Sequence, residues 1–434
     1  MSNRRSRRQF ITQAAFTSFS VWVGDTAARA AKQSPNSQIS FASIGVGGKG
    51  ESDSDDAASH GNMVAICDVD DNTRARGAAR FPKAEQFFDF RTMLEQYGKH
   101  IDAVTVSIPD CNHAVAAGMA MKMGKHCFCQ KPLAHSVWEA QRLADIAEQM
   151  HVATEMGNQG TAADGLRQMA AQVQKGAIGK VTDVHVWTNR PIWPQGIERP
   201  APAPVPSTLH WDAWLGSAPA RPYAPGYHPF SWRGWWDFGC GALGDMACHT
   251  MNLPFMALDL RDPLSVQAQT SGTNHDSYPA WSLITYKFDR TNLHPPLTMT
   301  WYDGGKLPPT ELFHGQPVSS SGSLMIGSSG TVYAPGDYGG HGKVIDGGVD
   351  VGQVDYPHSP GHFREWVRAI QGGIPAVSNF PNYAVPLTKT VVLGNLAVWA
   401  SPKKIEWDAR RLRATNAPEV QRIIHPHFRA NYSL

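Results

Sequence analysis

The sequence predicts an α/β domain built on a parallel sheet, followed by an α+β domain whose large sheet is mainly antiparallel. Three features carry this expectation. From residue 39 to 160, short apolar runs alternate with segments of helical periodicity, the pattern of strands buried between helical layers. After Gly160 the strand-like runs follow one another with polar turns between them. At 434 residues, the chain is long enough for two such units, each with its own core.

The amino-terminal residues are read apart from the fold. Ser6-Arg7-Arg8-Gln9-Phe10-Ile11 has the form of a twin-arginine export motif, an apolar stretch runs from Ala14 to Val23, and Ala28-Arg29-Ala30 resembles a cleavage site for a signal peptide. Residues 1–30 are expected to be that signal and 31–38 a linker. The twin-arginine translocase would then deliver the folded protein to the periplasm or outside the cell. The apolar stretch is shorter than the roughly 20 residues of a membrane span, and no later run reaches that length, so no stable membrane anchor is expected.

Residues 39–160 form the first domain. FASIG, MVAIC, DAVTVSI, HCFC and VATEM read as strands, HAVAAGMAMKMG and SVWEAQRLADIAEQM as helices. The first strand runs into Gly45-Val46-Gly47-Gly48-Lys49-Gly50, and the second ends at Asp68. Gly45 permits a tight turn, Gly47 and its neighbour Gly48 let backbone amides approach a pyrophosphate, and Gly50 lets the next helix pack on the strand. Asp68 is placed to accept hydrogen bonds from an adenosine ribose and to repel a 2′-phosphate, so this is a Rossmann domain for NAD rather than NADP. Glu51, Asp53, Asp55 and Asp56 suit the positive end of a helix but place negative charge near the pyrophosphate; they are expected to face solvent.

Residues 161–434 form the second domain. LRQMAAQVQKGAIG reads as a helix and VTDVHVWTN as a strand, followed by a Pro/Trp-rich insertion near 191–232. SLITYKF, LTMTWY, SLMIG and TVYAP are further strands, the glycine-rich stretch Asp337 to Gly352 a loop, and GHFREWVRAIQGG and LTKTVVLGNLAVWA late helices. Six cysteines without a CxxC pair suit buried free thiols. A net charge of +2 without a basic run gives no footprint for nucleic acid.

Three residues stand out for chemistry. Lys131 follows HCFC and precedes Pro132, which bars it from helical backbone and holds it on an extended turn at the ligand-binding edge of the sheet. There it could bond a substrate hydroxyl and, desolvated, exchange its proton, or it could be a solvent-facing turn lysine. Asp245 and His249 are four residues apart on a helix that begins in the glycine-rich run 239–244. A carboxylate beside an imidazole would raise its basicity and fix its orientation, as a general base needs. The pair could also be structural, or bind a metal, for which no third ligand is near; no metal is expected. Arg233, Trp235 and Trp236 lie in a tryptophan-rich segment suited to packing on sugar C–H faces and bonding hydroxyls.

On these residues the chain resembles the Gfo/Idh/MocA oxidoreductase superfamily, in particular an exported branch related to glucose-fructose oxidoreductase and NAD-dependent glycoside hydrolases. The family's Glu-Lys-Pro motif corresponds to Gln130-Lys131-Pro132, and its glycine-rich Asp-x-x-x-His segment to Gly239–His249. The resemblance implies that Lys131, Asp245 and His249 are catalytic and that Pro109, His113, Gln130 and Asn158 lie near the nicotinamide. It also implies that the Lys131-Pro132 bond is cis and that a homo-oligomer forms through the open face of the second sheet. Gln130 departs from the usual glutamate, which removes a charge beside Lys131 and makes the lysine more easily neutral. The expected function is oxidation of a sugar or glycoside hydroxyl with tightly bound NAD, redox-neutral overall because an exported enzyme has no general supply of soluble NAD. The alternatives are glycoside hydrolysis by transient oxidation and elimination, and nucleotide binding without turnover.

Overall fold

The computed structural model describes residues 38–434, so the proposed signal and nearly all of the linker lie outside the described residues. The first sheet is wholly parallel, with strand order β3-β2-β1-β4-β5-β6. Its strands are β1 (Ile39–Ile44), β2 (Gly61–Cys67), β3 (Glu85–Phe87), β4 (Ala103–Val106), β5 (His126–Cys129) and β6 (Thr154–Met156). The helices are α1 (Lys49–His60), α2 (Asp71–Arg80), α3 (Phe90–Tyr97), α4 (Asp110–Lys122) and α5 (Val137–Met150). Local chemistry sets their boundaries: Asp70 caps α2 through the amides of Asn72 and Thr73, and Ser136 caps α5 through that of Glu139.

After α6 (Asp164–Gln174) comes the second sheet: β7 (Val181–Trp187), β8 (Ser265–Thr270), β9 (Ser282–Phe288), β10 (Leu297–Tyr302), β11 (Gly322–Gly327), β12 (Gly330–Pro335), β13 (Lys343–Gly347), β14 (Ile405–Asp408) and β15 (Arg413–Ala414). Their order is β13-β12-β11-β7-β10-β9-β8-β14-β15, antiparallel except for β7 with β10. The remaining helices used below are α7 (Trp211–Leu215), α8 (Gly241–Thr250), α9 (Asn252–Leu258), α10 (His362–Ile370) and α11 (Val385–Trp399).

The fold class is as the sequence predicts, with two local differences. The glycine-rich stretch contains a strand, β13, an exposed edge paired to β12; its glycines lie mostly outside the pairing residues and so do not prevent it. And α10, late in the chain, covers the back of the first sheet. Its fully buried Trp366 meets the rings of Phe41 and Phe128 at 5.7 and 5.8 Å and donates Nε1–H to the Ala153 carbonyl. The buried Arg167–Glu365 pair, at 2.6 Å, ties α10 to α6. Each of the six cysteines is free and buried. No helix among the described residues is long and apolar enough to cross a membrane.

The insertion 191–232 is mostly irregular, with α7 inside it. It reaches back to the first domain: Leu209 bridges to Asp70, the Asp71 amide donates to Thr208, and His210 stacks on Phe88 at 4.1 Å. This strap roofs the carboxyl edge of the parallel sheet.

Candidate functional site

The strand order reverses between β1 and β4, and the crevice at that switch point is where a doubly wound sheet binds ligands. A cavity of about 500 Å³ opens there, walled by the glycine turn, Asp68, Ser107, Lys131 and, from the strap, Trp214 and Phe230. Gly45 has φ +84°, and a Cβ on it would lie 2.2 Å from the Ser107 carbonyl oxygen; on Gly50 a Cβ would lie 2.2 Å from the Gly45 oxygen. Gly47 is closed to larger residues by Thr73, at 2.6 Å. Gly48, at φ +55°, opens α1 without a side-chain cap; the Gly50 and Glu51 amides turn back to the Gly47 and Gly48 carbonyls at 3.0 and 3.2 Å, so an anion here would meet the positive end of the helix and the amides of the turn that precedes them. Gly45→Ala should therefore abolish high-affinity NAD binding and lower the thermal midpoint, since it strains a left-handed backbone and collides with β4. Calorimetric titration and a melting curve on the same sample would check both.

Asp68 accepts from the Val46 amide at 3.1 Å and the Asp70 amide at 3.0 Å. Burial raises its pKa while these backbone donors oppose the rise. Each carboxylate oxygen can accept a second bond, so Asp68 both braces the glycine turn and remains able to receive ribose hydroxyls. Arg76, exposed on the same wall, is the cation a 2′-phosphate would meet. Asp68→Ser is expected to narrow the preference for NAD over NADP by at least about tenfold, read as the ratio of the two Kd values.

At the far end of the cavity, Lys131 Nζ donates to Asp245 twice, to its backbone carbonyl at 2.6 Å and to Oδ1 at 3.1 Å. The Lys131-Pro132 peptide is cis. Asp245 also meets Arg190 Nε at 3.3 Å and Arg233 Nε at 3.4 Å. Burial alone would raise its pKa, but Lys131, Arg233 and Arg190 outweigh it and hold the carboxyl at about 2. Lys131 thus keeps a carboxylate neighbour despite Gln130. The α8 helix is seated by Gly241, φ +64°, whose Cβ would strike the Tyr278 ring at 2.7 Å, and by the Cys240 amide donating to Asp110 Oδ2 at 2.9 Å. Asp110 lines the cavity, and burial pushes it up to about 6 against the pull of Arg233 and Lys131.

Several expectations need correcting. Asp245 and His249 share a helix but do not bond, because the carboxylate is taken by three cations. His249 is buried, its Nδ1 has no hydrogen-bond partner, and its ring meets Tyr338 edge-on at 5.0 Å. Burial, then the Lys131 charge, lowers its pKa well below the usual value, so its basicity is reduced, not raised. Trp235 and Trp236 are core residues: Trp235 packs against Tyr227, and Trp236 stacks on Tyr278 at 3.8 Å. Trp214 and Trp232 are the tryptophans at the cavity wall, with Arg233 lying 4.2 Å over the Trp232 ring. Asp53 is buried, not solvent-facing.

Pro109, His113 and Gln130 line the cavity; Asn158 is fully buried, and its Oδ1 accepts from Ser378 Oγ at 2.5 Å. Both nitrogens of His113 lie 2.7 Å from carbonyl oxygens, of Pro132 and Ile108; burial still pushes the imidazole down to about 4, so one contact lacks a proton. Arg190 and Asp110 were missed by the sequence reading. Arg190 precedes Pro191 as Lys131 precedes Pro132, and the same local rule would have singled it out. Among the described residues no group of three or more His, Cys, Asp or Glu could hold a metal.

The parallel sheet, a turn in which Gly45, Gly47 and Gly50 have no room for a Cβ, and a helix start without a side-chain cap define a protein built to hold an adenine dinucleotide. Residues 39–158 match the family model "Oxidoreductase family, NAD-binding Rossmann fold", and residues 166–293 match "Oxidoreductase family, C-terminal alpha/beta domain". The chain belongs to the Gfo/Idh/MocA oxidoreductase family, and its first domain binds NAD. Levoglucosan dehydrogenase of Pseudarthrobacter phenanthrenivorans is 23% identical over 189 residues, 43% of this chain and only 40% of that relative's length. The WlbA dehydrogenase of Bordetella pertussis, solved with NADH and UDP-GlcNAcA, superposes with a TM-score of 0.61 at 16% identity, covering 86% of this chain and 99% of that one. Levoglucosan dehydrogenase with NADH and levoglucosan gives 0.59 at 15%, covering 86% and 99%.

Proposed function

We propose that this chain is an exported oxidoreductase that interconverts a hydroxyl and a carbonyl on a sugar or glycoside, with NAD held tightly and returned to its starting state in each turnover. The observation that carries the reading is Lys131. An ammonium has three N–H donors; two are spent on Asp245, and the third is left on the cavity side for a substrate oxygen. Bound NAD supplies the hydride acceptor and, in the reverse half-reaction, the donor. When the substrate is reduced, Lys131 Nζ hands its proton to the developing alkoxide; when it is oxidised, the amine takes the hydroxyl proton back. Asp245 holds that nitrogen in place in both directions. Proton handling therefore moves from His249 to Lys131.

Trp214 and Trp232 give flat apolar faces for sugar C–H groups, and Arg233 can donate to ring hydroxyls. The named relatives include enzymes solved with levoglucosan and with a nucleotide sugar, which supports a carbohydrate. The twin-arginine motif supports export with cofactor already bound and, with it, a redox-neutral cycle. Purified protein should release nicotinamide dinucleotide on denaturation. Offered free sugars and aryl glycosides, it should convert them without net NADH. Aglycone release would assign the hydrolytic form of the cycle, steady NADH accumulation would reject redox neutrality, and inertness toward every carbohydrate would reject the substrate class.

A further inference from the structure

We infer that Asp53 is a positioning residue for the cofactor: from α1 it supplies the carboxylate that the Gln130-Lys131-Pro132 segment lacks, and so fixes the Gln130 carboxamide with its oxygen free. Asp53 sits in an acidic run, yet its side chain is only 2% exposed. Oδ2 accepts from Gln130 Nε2 at 2.8 Å and from Ser107 Oγ at 2.7 Å, and Oδ1 pairs with Lys49 Nζ at 2.8 Å. One carboxylate thereby joins the glycine turn, the end of β4 and the end of β5. Lys49, Ser107 and Gln130 all line the cavity.

A carboxylate only accepts, so it must face the NH₂ group of the carboxamide; Oε1 is then the part of Gln130 left to accept a bond. The other side is closed by Gly157, where a Cβ would lie 2.4 to 2.7 Å from the carboxamide atoms, so the side chain cannot retreat. Gln130 stands beside Lys131 with an acceptor available for a hydroxyl or amide of the dinucleotide. Glutamate at 130 would set two carboxylates at hydrogen-bond distance, and they would repel or share one proton. Glutamine here is the complement of Asp53, and the negative charge of the pair sits on α1.

The inference rests on NAD binding and not on the sugar reading, so NAD⁺ titration tests it whatever the substrate is. Kd for NAD⁺ would be measured by tryptophan fluorescence on cofactor-depleted wild type, Gln130→Glu, Asp53→Asn and the double variant, with melting curves alongside. At pH 8, Gln130→Glu is expected to weaken binding by at least about tenfold, because two carboxylates then face each other with no donor between them. The double variant, in which acid and amide exchange places, should return to within about threefold of wild type. Wild-type affinity in Gln130→Glu at pH 8, or a double variant no better than Gln130→Glu, would overturn the proposal. Should Gln130→Glu not fold, the double variant decides: folding with near-wild-type affinity supports it, and failure to fold or bind refutes it.

Discussion

Replacing Lys131 with methionine is expected to reduce kcat for sugar oxidation or its reversal by about 10²- to 10⁴-fold while leaving the fold intact. The magnitude is that of a proton donor in contact with the reacting oxygen. The fold should survive because Asp245 is not orphaned: Arg190 and Arg233 still meet it at 3.3 and 3.4 Å. Methionine keeps most of the stem volume, so the wall of the cavity does not collapse. NAD⁺ affinity should change little, since the glycine turn and Asp68 lie at the other end of the crevice. Steady-state kinetics would thus show the loss in kcat with a small change in KM. Full activity in Lys131→Met would leave the proposed proton transfer without its donor.

What could be read from the chain follows how local each determinant is. The glycines at 45, 47 and 50 were legible because the constraint on each is backbone conformation or the closeness of an adjoining segment, and a dinucleotide turn spaces them in a recognisable way. Lys131 was legible for a similar reason, through the proline that follows it. Asp245 lines the cavity, but with partners other than the one expected. An i, i+4 relation reports only on-helix neighbours, whereas its partners come from positions 131, 190 and 233, brought together by two sheets and the strap. Trp235 and Trp236 sit in an irregular segment where no period of 2 or 3.6 assigns a face, so composition pointed to a ligand and packing placed them in the core.

Asp53 was hidden by its charge, not by any lack of signal. The buried positions of α1 are Gly50, Asp53, Ser54 and Ala57, which is helical spacing in small and polar residues. Weighting only apolar residues discards such a face. A helix that must approach both a pyrophosphate and a sheet cannot be lined with leucine, so its inner side is written in glycine, serine and one paired acid.

Asp245→Asn should be the most destabilising of the site substitutions, by about 2 to 5 kcal/mol near neutral pH. The lower figure is what a carboxyl held at about 2, against an ordinary value of 3.8, is worth by linkage, and the upper is the usual cost of breaking a buried ion pair from one side. Three cations would be left converging on a neutral amide; Asp110, which feels the charges of Arg233 and Lys131, has its Oδ2 engaged by the Cys240 amide. The sign of the pH dependence follows from the depressed pKa. Because the folded state holds the carboxylate more tightly than the unfolded chain does, the stabilisation is complete above about pH 4 and is lost as pH falls through about 2. Denaturation midpoints of wild type and Asp245→Asn should accordingly differ most at pH 5 to 7 and converge toward pH 2. A gap that stayed constant across that range would mean that the loss comes from packing or hydrogen bonding and not from charge. In that case the cluster of Lys131, Arg190 and Arg233 would not be held by electrostatic attraction to Asp245.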